Sequence, residues 1–170
     1  MIKNQETDEC GLVAFNKEQL VQEAETEIRE ARKTIDYNTV EFKLEYFIDK
    51  ISQQEIDDNL HWNEEKQSYF IESLMLGLPI LAIVFKEKNS NDWDKLNSIE
   101  QIIDGKQRLL TALNFINNNL QLSNLKQLET LNGFKFEDLM LSRQSKFKRI
   151  SVRAFAVAPK SDLSVWREYR

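Results

Sequence analysis

Histidine and cysteine each occur once, as His61 and Cys10. A lone cysteine excludes an intrachain disulfide and favours a reducing compartment. One histidine excludes zinc sites built on His pairs or Cys/His clusters. A Ser-His-Asp triad could use only His61, and no nucleophile-elbow pattern accompanies it. Any metal would be a hard, oxygen-liganded ion such as Mg²⁺. Four glycines and two prolines argue against a loop-rich or low-complexity chain. Long apolar runs are also missing. The longest, residues 74–85, is interrupted by Gly77 and Pro79 and is too short to span a bilayer as a helix. Residues 1–10 are polar and acidic, unlike a signal peptide. The chain is therefore expected to be cytoplasmic, with no membrane partner.

What is present suits one globular domain. At 170 residues, folding buries roughly 70% of the unfolded chain's surface. Hydrophobic residues make up 41% of the chain, including ten Phe, four Tyr and three Trp, enough for an ordinary core. The net charge of −5 is unevenly spread: residues 1–103 carry 11 basic and 22 acidic side chains, residues 104–170 carry 12 and 6. The chain as a whole would not bind nucleic acid by charge alone. A one-sided basic face is left, built from Arg143, Lys146, Lys148, Arg149 and Arg153 among others.

Periodicity predicts an α+β fold. Residues 16–33 read as an amphipathic helix with Asn16 and Gln19 as its capping box. Leu20, Ala24, Ile28 and Ala31 share one face, and Glu25 and Arg29 can pair. That narrow stripe is expected to dock on the domain, with a second subunit as the other candidate. Residues 35–42 have strand character, and Leu44, Phe47, Ile48 and Ile51 follow at helical spacing. Asn63 is the expected cap of a helix over 64–76, with Phe70, Ile71, Leu74 and Leu78 as core face and Gly77 just past its end. Residues 80–85 form a continuously apolar strand, and residues 86–98 a polar loop with Trp93 as lid or packing residue. The next strand, from Ile99, pairs with it as an antiparallel hairpin. Leucines between 120 and 131 read as core packing, 131–133 as a turn, and 136–147 as a helix. Residues 150–158 alternate as a strand ended by Pro159, and Ser161 or Ser164 opens a last helix.

The chain is organised around residues 102–113, a strand end, a tight turn and a helix start. Ile102 and Ile103 supply strand character, Gly105 permits the turn, and Leu109, Leu113 and Ile116 recur at helical spacing. Asp104 is the expected N-cap, with Gln107 completing a capping box. Helix N-termini favour acidic neighbours, yet Lys106 and Arg108 bring two cations there. An anion, most naturally phosphate, would relieve that repulsion; otherwise both side chains point into water. Arg108 is expected to be exposed and to contribute little to stability.

Asp104-Gly105-Lys106-Gln107-Arg108-Leu109 resembles the Asp-Gly-Gln-Gln-Arg-Leu signature of the domain at the N-terminus of GmrSD-type restriction enzymes. The surrounding order agrees from about residue 35 to 165: helix, Gly77-Leu78-Pro79, strand, polar loop, strand, Asp-Gly, helix. The resemblance implies a ParB/sulfiredoxin-like fold with a small mixed sheet and packed helices. It divides the chain into a lead segment, 1–34, and the domain proper, 35–170. It also implies binding and hydrolysis of a nucleoside triphosphate with Mg²⁺, regulating a nuclease domain or subunit. Gly105, Lys106, Gln107 and Arg108 would then hold the nucleotide, with Asp104 and Arg108 catalytic. Where the family carries Gln-Arg before a Trp matching Trp62, this chain has Asp57 and Asp58, which repel phosphate but could hold Mg²⁺. The family pattern continues past Arg170, so the domain is expected to be incomplete at its C-terminus. The competing readings are a non-catalytic DNA- or partner-binding module and, more weakly, a ParB-like nuclease.

Overall fold

The computed structural model describes residues 9–52, 61–88 and 99–168. Helix α1 spans Glu9–Lys33, followed by β1 (Tyr37–Lys43), α2 (Leu44–Ser52), α3 (Glu64–Met75), β2 (Ile83–Glu87) and β3 (Ile99–Asp104). Then come α4 (Lys106–Ile116), single 3₁₀ turns at Glu129–Leu131 and Phe136–Asp138, α5 (Leu141–Lys148), β4 (Ser151–Val157) and α6 (Leu163–Glu168). The expected α+β class is met. The strands form one mixed sheet in the order β1-β4-β2-β3. β1 runs antiparallel to β4, with Tyr37 opposite Val157 and Lys43 opposite Ser151. β2 and β3 form the anticipated hairpin. The central β2–β4 pair is parallel, so the chain between them must cross over, and α4 and α5 lie in that crossover.

Helices α2, α3, α4 and α5 cover one face of the sheet. Leu44, Phe47, Ile48 and Ile51, the four positions that helical spacing singles out, are the buried residues of α2. They meet Ile71, Leu74, Leu109 and Phe115 over the sheet residues Ile83, Phe85, Val152, Ala154 and Ala156. Phe115, Phe136 and Phe147 stack edge-on at 5.5–5.8 Å between ring centres, and each fully buried ring contributes roughly 1.5–3 kcal/mol. On the opposite face Tyr37, Phe155 and Trp166 of α6 make a smaller aromatic cluster. No helix among the described residues is long and apolar enough to cross a membrane.

A buried carboxylate fixes the irregular segment after α4. Glu72 is 5% exposed on α3 and accepts hydrogen bonds from the backbone N–H groups of Lys126, Gln127 and Leu128, the shortest at 2.7 Å. Burial pushes its pKa up, but the donors of Leu128, Gln127 and Lys126 together outweigh burial and hold it below the usual carboxylate value. Leu120, Leu122 and Leu125 in the same segment are buried, as their spacing predicted.

Several expectations need correction. Helix α1 begins at Glu9, so Asn16 lies inside it and not at its start. Its described side chains, from Lys17 onward, are all exposed, with Leu20, Val21 and Ile28 more than half so; the apolar stripe is not docked on the domain. Glu30 pairs with Lys33 at 2.6 Å in place of the Glu25–Arg29 pair. Asn63 does cap α3, accepting from Lys66 N–H, and Gly77 takes the left-handed conformation after it. Leu78, beyond that turn, is exposed instead of joining the core face. β2 starts at Ile83, three residues late, because the carbonyls of Leu81 and Ala82 bond to Arg108. Helix 136–147 is split into a 3₁₀ turn and α5. Asp162, not a serine, opens α6: its carboxylate accepts from the N–H and hydroxyl of Ser164, which lowers its pKa. Asp57, Asp58 and Trp93 lie outside the described residues.

Candidate functional site

The Asp104–Arg108 junction sits where the expected strand-to-helix turn was placed, but its internal chemistry differs. β3 ends at Asp104, opposite Val84 of β2. Gly105 then adopts φ 98°, ψ 2°, and it, not Asp104, occupies the N-cap position. An alanine there would be strained by the positive φ, and its Cβ would overlap the buried Ile83 side chain. The first bond of α4 runs from Leu109 N–H to Gly105 O at 3.0 Å. No side chain caps this helix, and its first turn holds no acidic residue. Helix α3 is the contrast, with Asn63 as cap and Glu64 and Glu65 in its first turn. The nearest negative charge at the positive end of α4 is therefore Asp104, just before the N-cap, and that carboxylate is engaged with Arg108.

Arg108 is 9% exposed, so the expected water-facing cation is instead a buried brace. Its Nη2 lies 2.9 Å from Asp104 Oδ2, one helical turn back. Nη1 donates to Leu81 O, and Nη2 to Ala82 O at 3.4 Å. The planar guanidinium suits this task because it can reach a carboxylate and two carbonyls at once. Gln107 is a brace of a second kind, and not part of a capping box. Its Oε1 accepts from the N–H groups of His61 and Trp62, at 2.8 and 3.4 Å. Trp62 in turn packs on Phe70 and under Lys66, and its carbonyl accepts from Gln67. The junction therefore binds three segments of chain together: 61–62, 81–83 and 104–108.

Lys106 is the exception. It is half-buried at the first position of α4, and its side chain has no hydrogen-bond or ion-pair partner among the described residues. The motif residues are thus brought together, with Asp104, Gln107 and Arg108 committed to the fold and Lys106 uncommitted beside an uncapped helix end. Side-chain reasoning missed the partners of these braces because they are backbone groups of residues 61, 62, 81 and 82, which carry no sequence signal. Among the described residues no three His, Cys, Asp or Glu side chains stand together as metal ligands. A separate polar cleft of about 720 Å³ is lined by Asn119, Gln121, Ser123, Asn124, Lys135 and Glu64 among others; sequence reasoning did not single it out.

A mixed four-stranded sheet covered on one face by helices, with an Asp-Gly-Lys-Gln-Arg turn feeding a helix, defines the class: an α+β domain organised around one strand-to-helix junction. The chain belongs to the family of the N-terminal domain of GmrSD restriction endonucleases, matched over residues 45–165. That membership places it in restriction. The matched stretch opens in α2 and takes in the junction, and α1 and β1 precede it. Comparison with curated proteins and with solved structures gives no match.

Proposed function

We infer that this domain serves restriction by recognising phosphate at the Asp104–Arg108 junction, with a nucleoside triphosphate as ligand. The observation that carries the reading is Lys106, a cation without a partner among the described residues, in a first helical turn that has no acidic residue and a glycine at its N-cap. A lysine at the first helical position, beside the first-turn main-chain N–H groups, has the chemistry to hold phosphate oxygens. In this reading Gly105, Lys106 and the first-turn amides, including that of Gln107, bind the ligand. Asp104 and Arg108 hold the turn in shape through their 2.9 Å ion pair and the Leu81 and Ala82 carbonyls. Asp104 is the motif's only carboxylate. Its Oδ2 is engaged by Arg108, so Mg²⁺ would arrive on the nucleotide, with phosphates and water as its main ligands. Hydrolysis is expected to be slow or absent, because one missing electrostatic donor costs ~10²–10³ in rate and Arg108 is engaged with the protein. A restriction role further suggests a nuclease domain or subunit as partner and a cytoplasmic setting where DNA and nucleotides meet, and the family resemblance suggests a ParB-like fold.

A second reading, a non-catalytic DNA-binding module, is favoured by the same lysine. One uncommitted cation matches the single charge of a phosphodiester better than the charge of a triphosphate. A ParB-like nuclease ranks third, because two-metal cleavage calls for clustered acidic ligands. Calorimetric titration with Mg²⁺-nucleoside triphosphate and with a short DNA duplex separates the first two. Saturable nucleotide binding with no duplex binding supports the first reading, and the reverse supports the second. Binding of neither overturns a phosphate site at this junction.

A further inference from the structure

Two features elsewhere on the molecule complement each other. The first is α1, whose exposed apolar stripe of Leu20, Val21, Ala24 and Ile28 is flanked by Glu23 and Glu27 on one side and Glu25 on the other. None of these three glutamates has an ion-pair partner among the described residues. The second is a trough that starts between the end of α3 and α5 and runs on toward β1 and β4, formed by three adjoining cavities of about 240, 250 and 340 Å³. The first cavity shares Met75 and Arg143 with the second, and Leu74, Gly77 and Ile150 with the third, so it links the other two through largely apolar residues. Leu78, 54% exposed, lines one end, and Met140 and Leu141, both 80% exposed, open the helix that forms one wall. The rim is basic. Arg143 and Lys146 of α5 line the trough without an ion pair among the described residues, and Arg153 adds a third cation, 3.7 Å from Glu41. α5 carries no acidic residue.

We propose that α1 of one copy of this chain docks in the α3–α5 trough of a second copy, reciprocally, closing a two-fold dimer. Charge decides the occupant: an acidic amphipathic helix with a four-residue apolar stripe meets a largely basic-rimmed apolar trough, and one chain supplies both halves. The helix does not reach its own trough, because its exit is pinned. Asp162 N–H donates to Thr34 O at 3.2 Å, Asp36 N–H to Ser161 Oγ at 3.0 Å, and Ser161 Oγ–H to Asp36 O at 2.8 Å. α1 thus leaves the body beside Tyr37, at one end of β1, whereas Glu41, Ser151 and Arg153 put the trough toward the other. A helix of 25 residues spans roughly 37 Å, enough to reach across to a neighbour. Reciprocal exchange satisfies both helices and both troughs and closes the assembly, which one-way docking would leave open-ended.

The test uses the full chain in size-exclusion chromatography with light scattering over a concentration series. The expected wild type is a dimer whose dissociation constant rises with ionic strength. The double variants Glu23→Lys/Glu27→Lys and Arg143→Glu/Lys146→Glu change exposed side chains only, so both should fold. Each alone should be monomeric, its dissociation constant raised about tenfold or more. Mixed one to one, they should regain the dimer, because each reversed helix then meets a reversed trough. A wild type that stays monomeric, a dimer indifferent to both variants, or a mixture that fails to recover would each overturn the proposal.

Discussion

Replacing Arg108 by alanine should destabilise the whole domain, not only a binding site. The Arg108 side chain is 10% exposed, and its guanidinium holds a carboxylate one turn away and two carbonyls on the approach to β2. Removing one partner of a fully buried ion pair costs about 3–5 kcal/mol. Asp104 is only partly covered, with 32% of its side chain exposed, so water recovers some of that. The carbonyls of Leu81 and Ala82 lose their donor; Leu81 is exposed enough to be resolvated, Ala82 less so. The net expectation is about 2–4 kcal/mol. For a chain of this length that lowers Tm by roughly 4–16 °C. Urea denaturation followed by circular dichroism measures it, with Arg108→Lys as the control. Lysine keeps the charge but cannot reach three acceptors in one plane, so it should fall between wild type and alanine. A loss within ~0.5 kcal/mol for alanine would place Arg108 among ordinary surface cations and refute the bracing argument.

Glu72→Gln should weaken the hold on residues 126–128 and cost on the order of 1–3 kcal/mol at neutral pH, measured by denaturation. Because folding lowers the Glu72 pKa, its stabilisation is present above the ordinary value of 4.5 and lost as pH falls through the lowered folded value; the wild type should therefore lose its advantage over Glu72→Gln in acid, and parallel pH profiles would contradict this. Gly105→Ala should cost about 2–4 kcal/mol, combining positive-φ strain with overlap on buried Ile83, and a neutral effect by thermal unfolding would contradict the turn geometry.

What the sequence made legible follows the reach of periodicity. The four apolar positions of α2, the Asn63 cap, the β2–β3 hairpin and the alternation of β4 are local patterns, and each appears where spacing put it. The junction's position was legible for the same reason, since strand residues give way to helical spacing at Gly105. Its internal bonding was not. A capping box and a buried brace use the same residue types at the same spacing, and only the nearness of residues 61–62 and 81–82 decides between them. Glu72 was equally hidden, because a glutamate on a helix gives no sign that three backbone donors from 54 to 56 residues away will enclose it. The stripe of α1 was visible, but an amphipathic pattern states that a face wants covering and not by what.

The central claim is that Lys106, beside an uncapped helix start, binds phosphate. It is tested most directly by titrating Mg²⁺-nucleoside triphosphate into wild type and Lys106→Ala by calorimetry, with circular dichroism confirming equal folding. Lys106 has no protein partner among the described residues, so its loss should leave stability within ~0.5 kcal/mol. Binding should fall by roughly 10- to 100-fold, the loss of one charge-assisted phosphate contact of ~1.5–3 kcal/mol. Equal affinity in the two proteins would contradict the claim.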